Sequence, residues 1–228
     1  DLTATPVSGF FVQICGLDVC ASPQSTDGTG AVTIDATRLA FQKPMLGYGD
    51  ALHWPLLLVP VAAGPTVDLG TLVTAALPTT GAAFMPGGDA VSGDVTVSIA
   101  PGGAATVDTI LYDTTDKQGF RAAAIPVAKE TAIPGVAANS FGLLYGVAPI
   151  DTLFCPAAQV TVTNRAGWPA GARVAFYILG DDTAQPWAPY GDWALVSHGA
   201  VSADGTTIRT ADGEGFPLLE TFGVRLEP

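Results

Sequence analysis

Ser92-Gly93-Asp94-Val95-Thr96-Val97-Ser98-Ile99, followed at once by Pro101-Gly102-Gly103, is a strand set between two turns. Val95, Val97 and Ile99 fall on one face of an extended chain, and Thr96 and Ser98 on the other. Glycine supplies the positive φ that tight turns require, and proline presets φ at their corners, so both ends of the run are punctuated. The same pattern recurs along the chain. In Ala31-Val32-Thr33-Ile34-Asp35 it puts Val32 and Ile34 on one face, after a hairpin turn at Ser25-Thr26-Asp27-Gly28-Thr29-Gly30. Further strands are expected at Phe10 to Cys15, Thr66 to Thr74, Ala104 to Tyr112, Gln159 to Asn164, Arg173 to Leu179, Trp193 to Ser197, Thr206 to Thr210 and Phe222 to Leu226. Gly-Trp-Pro-Ala-Gly at 167–171 and Ala203-Asp204-Gly205 read as turns between some of them. Only Val127 to Asn139 has room for a helical turn or two, and Pro134-Gly135 limits it. There is no periodic internal repeat. The reading is all-β: tandem antiparallel β-sandwich modules with very little helix. The pattern restarts near Gly81, which divides the chain into a module over 1–76 and a larger β-sandwich domain over 77–228.

Composition agrees with that class. Of 228 residues, 48% are hydrophobic and 13% charged, which provides for a core but not for long solvated helices. Glycine (27) and proline (18) suit many short strands joined by turns. A net charge of −12 with nine scattered basic residues excludes a nucleic-acid footprint, because phosphate binding needs clustered Lys and Arg. The same acidity opposes docking on anionic membranes and attracts divalent cations. No apolar run reaches the ~18 residues of a membrane span. The longest, Trp54 to Ala63, is broken by Pro55 and Pro60. Asp1-Leu2-Thr3-Ala4-Thr5-Pro6 has neither a basic start nor an apolar stretch, as expected of a mature chain whose leader was removed or of one trimmed at its start.

Cysteine spacing adds a compartment clue. Cys15 and Cys20 bracket four residues, a spacing that fits a short-loop disulfide across a hairpin mouth. Reduced structural thiols are the alternative, and no second Cys or His pair completes a metal site. Cys155, between Leu153-Phe154 and Pro156-Ala157-Ala158, reads as an inert core thiol, with an intermolecular bridge as the sharper alternative.

Two stretches resemble known modules. Gly9-Phe10-Phe11-Val12-Gln13-Ile14-Cys15, the turn at Ser25 to Gly30 with Ala31-Val32-Thr33-Ile34, and Val67-Asp68-Leu69-Gly70-Thr71-Leu72 together resemble the carboxypeptidase regulatory-like, transthyretin-like β-sandwich. Pro86-Gly87-Gly88 with Gly93-Asp94-Val95-Thr96-Val97, Pro156-Ala157-Ala158-Gln159-Val160-Thr161-Val162, and Val201-Ser202-Ala203-Asp204-Gly205-Thr206-Thr207-Ile208 are similar to a β-domain shared by ankyrins, netrin receptors and large bacterial surface proteins. Some relatives of that second domain cleave themselves at a His-[FL]-[ST] site. Here Ser197-His198-Gly199-Ala200 lacks both the hydrophobic residue and the nucleophile, so self-cleavage is not supported. Both resemblances imply accessory or adhesive modules rather than enzymes.

The residues themselves point the same way. Nucleophilic catalysis needs a base, and the only histidines are His53 and His198, with no G-x-S-x-G elbow for a nucleophile, so no catalytic residues are expected. Carboxylates at Asp181-Asp182, Asp113 with Asp116, and Asp212 with Glu214 could supply calcium ligands, Asp181 and Asp182 being the preferred pair; the alternative is that they satisfy local backbone amides. No other cofactor is expected. In Trp187-Ala188-Pro189-Tyr190-Gly191-Asp192-Trp193, the residues Trp187, Tyr190 and Trp193 form a stacking platform if exposed and core filling if buried. The function expected is a non-catalytic extracellular structural or adhesive protein, a self-assembling surface or filament subunit. Its partners would be copies of itself or another surface protein, reached in part by adding the N-terminal strand to a neighbour's open sheet edge. The alternative is a carbohydrate- or protein-binding accessory module of a secreted system.

Overall fold

Alternation and turn chemistry produce strands throughout, and the computed structural model, which describes the chain apart from residues 63, 65 and 127–140, contains no helix among the described residues. The helical turn considered for Val127 to Asn139 lies outside the described residues. The expected all-β, antiparallel architecture is what the chain forms. Strands β1 (Phe11–Cys15), β2 (Gln24–Ser25), β3 (Met45–Tyr48) and β4 (Leu57–Pro60) make a first sheet in the order β2-β1-β3-β4. All its pairs are antiparallel, with Val12 opposite Tyr48 and Leu46 opposite Val59.

Two strands expected in this region do not form. Ala31–Asp35 and Thr66–Thr74 are irregular. Around the first, aspartate side chains take up the backbone donors that a ladder would use: Asp27 Oδ1 accepts the N–H groups of Thr29 and Ala31, and Asp35 Oδ1 that of Thr37. Around the second, Asp68 Oδ1 accepts the N–H of Gly70. The apolar residues of this segment still serve the core, because Leu69, Leu72, Val73 and Ala75 pack on the sheet without joining its ladder.

The remaining strands are β5 (Asp89–Ser92), β6 (Val95–Ser98), β7 (Ala104–Thr106), β8 (Arg121–Ile125), β9 (Leu143–Ala148), β10 (Thr152–Thr163), β11 (Arg173–Leu179), β12 (Trp193–Val201), β13 (Thr207–Thr210), β14 (Phe216–Leu219) and β15 (Phe222–Leu226). They form a large sheet in the order β5-β6-β10-β13-β12-β11-β15-β9-β8, with β7 and β14 paired to the first part of β10. The two outer strands curl back to meet each other. The Ala122 N–H on β8 donates to Ser92 Oγ on β5 at 2.9 Å, so the sheet is nearly closed into a barrel. Hairpin β5–β6 is the opening motif of the sequence, with Gly93 at φ 55° in its turn. Strand β10 changes partners along its length: β7 pairs with Leu153 to Cys155, β14 with Thr152, Leu153 and, after a register shift, Ala158, and β6 and β13 with the stretch from Gln159 onward.

Aromatic rings fill the barrel. Tyr145 stacks on Phe222 at 5.1 Å, and Phe216 meets Phe222 edge-on at 5.2 Å and Phe176 at 5.8 Å. Strand β9 is buried along its whole length because it has a core on each side. Leu143, Tyr145 and Val147 face into the barrel, while Leu144 faces out and joins Ile125 and Phe141 against Val12, Tyr48, Leu57 and Val59 of the first sheet. The first sheet therefore completes its core on the outside of the barrel. Several polar contacts fix this seam: Thr221 Oγ1 donates to Leu56 O at 2.9 Å, Tyr112 Oη to Ala51 O at 3.0 Å, and Lys43 Nζ pairs with Asp192 at 2.6 Å. Pro55 presses so closely on Gly146 of β9 that a Cβ there would overlap its ring.

Candidate functional site

Three turns at one end of the barrel carry acids toward a common point. Asp151 sits between β9 and β10 with φ 58°, a left-handed conformation that Asp tolerates better than most side chains. Thr152 Oγ1 closes that turn on Pro149 O at 2.9 Å, and the Asp151 N–H donates to Glu220 Oε1 at 3.0 Å. Glu220 lies between β14 and β15 and is only 1% exposed. Asp181 follows Gly180, whose bridge to Tyr190 ends β11, and its Oδ1 accepts from Gln185 Nε2 at 2.9 Å. One carboxylate oxygen from each of Asp151, Asp181 and Glu220 lies within 4.8 Å of the others.

Burial dominates the electrostatics of these groups. Withdrawal from water raises the Glu220 carboxyl well above its ordinary value, and the neighbouring charges of Asp181 and Asp151 push it further. Burial and then the charge of Asp151 raise Asp181 to about 7, and burial together with the charges of Asp182 and Asp108 raises Asp151 against the lowering effect of its hydrogen bond with Glu220. Among the described residues no Lys, Arg or His forms an ion pair with any of the three. Such a cluster can retain protons at neutral pH or take a hard cation through oxygen ligands. Gln185 Oε1, buried and without a partner, is a further neutral oxygen beside Asp181.

Of the acids singled out in the sequence, Asp181 belongs to this cluster and Asp182 does not: Asp182 is exposed, and its Oδ1 accepts the N–H of Ala184 at 2.9 Å. Asp113 pairs with Lys117, Asp212 lies 3.6 Å from Arg209, and Glu214 contacts His198, so these carboxylates act locally. Sequence reasoning missed Asp151 and Glu220. The signal for Glu220 was present, since it is the lone acid in Phe216-Pro217-Leu218-Leu219-Glu220-Thr221-Phe222, and a charge inside an apolar run is costly unless it is satisfied.

The aromatic segment is divided between surface and core. Trp187 is 40% exposed, but Tyr190 is 8% exposed with its hydroxyl toward Cys15 O, and Trp193 packs edge-on against Phe141 at 4.6 Å. The three rings thus do not make one exposed platform. Cys15 and Cys20 form a disulfide. Cys155 corrects the expectation of a core thiol: it is exposed, because alternation along β10 turns Phe154 inward and its neighbour outward. His53 is exposed and bonded through Nδ1 to Asp50 at 2.8 Å.

Ser197, His198 and Glu214 meet in a shallow groove on β12, but without the wiring of a triad. Ser197 Oγ donates to His198 O at 2.9 Å, while the imidazole Nδ1 faces Glu214 at 3.2 Å and Nε2 faces Glu227 at 3.4 Å. Neither ring nitrogen is placed to take the serine proton. Comparison with protein-family models, curated proteins and solved structures found no match to this chain.

Proposed function

We propose that this chain is a non-catalytic structural or adhesive module of an extracellular or cell-surface assembly, associating with copies of itself. The observation that carries this reading is Ile110-Leu111, two adjacent apolar side chains that are 89% and 57% exposed. Their loop is held in place. Asp108 Oδ1 accepts the Ile110 N–H at 2.7 Å, the Tyr112 N–H donates to Asp108 O at 2.9 Å, and the Tyr112 ring is buried. On the following turn the buried Arg121 guanidinium donates to the carbonyls of Asp116, Lys117 and Gly119. A pair of apolar side chains held out on an ordered loop suits a contact, because little further ordering is needed to make it.

The Cys15–Cys20 disulfide supports an oxidising compartment. Strand addition is less favoured than contact through the loop. The first sheet is edged by β2, of two residues, and by β4, which ends in Pro60, and short or proline-bearing edges discourage pairing.

Light scattering on a sizing column over a range of concentrations tests the proposal. The wild-type mass should rise with concentration, and Ile110→Ser with Leu111→Ser should hold the chain as a monomer. A wild-type chain that stays monomeric at every concentration would remove the case for self-association.

A further inference from the structure

Strand β12 is nine residues long, but among the described residues its edge away from β11 is paired only over Gly199–Val201, with β13. Strand β14 follows β13 in the chain and pairs with β10 instead, and Pro217 within it has no N–H to offer a ladder. A groove of about 440 Å³ opens between the two strands. Its lining is mainly apolar: Leu195 and Val196 from β12, Ala157 from β10, and Gly215 with Pro217 at the start of β14. Leu195 is 45% exposed. Gly215 lies so close to Ala158 O that a Cβ would meet it at 2.4 Å, so no side chain fills the groove there. The rim is fixed, because the His198 N–H donates to Glu214 Oε2 at 2.6 Å and the Ala211 N–H to His198 O at 2.8 Å. Neither Ile110 nor Leu111 of the same chain lines this groove.

We propose that this groove receives Ile110 and Leu111 of a second copy, a contact that rests on the reading of that pair as the self-association site and supplies its partner surface. Two aliphatic side chains held out on an ordered loop match a groove of that size and chemistry, and each surface removes the other from water. Charge favours the groove over a second loop as the partner. Residues 108–117 carry Asp108, Asp113 and Asp116 against Lys117, so two loops set face to face would bring like charges together. The wall beside the groove differs. Arg173, Ala200 and Arg209 lie in one row across β11, β12 and β13, with both arginines exposed, and Ala200 is two residues beyond His198 on the same face of β12. Arg173 and Arg209 offset Glu227 and Asp212, which leaves Glu214 beside His198. In a chain of net charge −12, a wall with exposed guanidinium groups is the complement of an acidic loop. Loop and groove are unlike surfaces, so the contact can continue from copy to copy.

The test uses two variants on a sizing column with light scattering: Ile110→Ser with Leu111→Ser, which keeps the groove, and Leu195→Glu, which keeps the loop. Each alone should stay a monomer where wild type associates, a loss of at least roughly tenfold in affinity. Mixed in equal amounts they should form a dimer and nothing larger, because one supplies an intact groove and the other an intact loop. Circular dichroism and a Tm like those of wild type show that Leu195→Glu is folded; should it not fold, the milder Leu195→Ser carries the comparison. Association of the groove variant at wild-type strength, or a mixture that stays monomeric, overturns the groove as the partner surface, while a monomeric loop variant leaves the self-association reading standing. A wild-type chain that is monomeric at every concentration removes both.

Discussion

Glu214 accepts the backbone N–H of His198 at 2.6 Å and faces its ring Nδ1 at 3.2 Å, close to water. Those hydrogen bonds favour the charged form and hold its carboxyl below the ordinary value of 4.5, the backbone bond contributing most. Its stabilisation is therefore present above that value and is lost as pH falls through the lower, folded one. Because the pair is largely solvated, Glu214→Gln should cost less than about 1 kcal/mol near neutral pH, and the difference from wild type should vanish in acid. Urea titrations at the two pH values measure this. Asp181 runs the other way because burial and the neighbouring charge of Asp151 favour its neutral form, although both residues sit in turns and look alike in the sequence. Asp181 was legible as a candidate because it stands in an Asp-Asp pair after a strand. Its partners were not, because Asp151 and Glu220 lie 30 residues before it and 39 after it, and only the return of three turns to one end of the barrel joins them.

Among the elements, β1, β6 and β13, each with a partly exposed face, lie where the pattern placed them to within a residue at each end, and so do the largely buried β11 and β15, which stand out by their β-branched and aromatic residues. Strand β9 was not foreseen, because Leu143-Leu144-Tyr145-Gly146-Val147-Ala148 is buried on both faces and has no alternation to read. Gly146 has a specific role in it, since it leaves the space that Pro55 fills from the other side of the seam. Gly146→Ala should push Pro55 away and destabilise the chain by about 1–3 kcal/mol, as overpacking in a close contact does. Denaturant unfolding gives the size of the loss. Faster exchange at residues 51–56 than in β11 would place it at the seam, and equal loss in both would place it in the barrel. Cys155 shows the converse case, in which the apolar neighbours Leu153 and Phe154 suggested burial and the two-residue period of β10 decided otherwise.

At the scale of the whole molecule, the division at residues 76/77 marks where the pattern restarts, but the core does not divide there. Val12, Tyr48, Leu57 and Val59 share one hydrophobic cluster with Ile125, Phe141 and Leu144. The expected outcome is a single cooperative thermal transition, with residues 1–76 unfolded when made alone. Calorimetry of the full chain and circular dichroism of the fragment check it; two separate transitions, or a folded fragment, would show that the first sheet stands by itself. The Cys15–Cys20 bridge closes a short loop and leaves this dependence in place. By itself, the sequence determined the all-β class, the acidic character and several of the strands and turns, because each is written in local periodicity, turn residues or composition. The tertiary structure alone decided which strands close the barrel, what covers the first sheet and which acids meet at its edge. Those depend on contacts between residues far apart in the chain, and no local pattern encodes them.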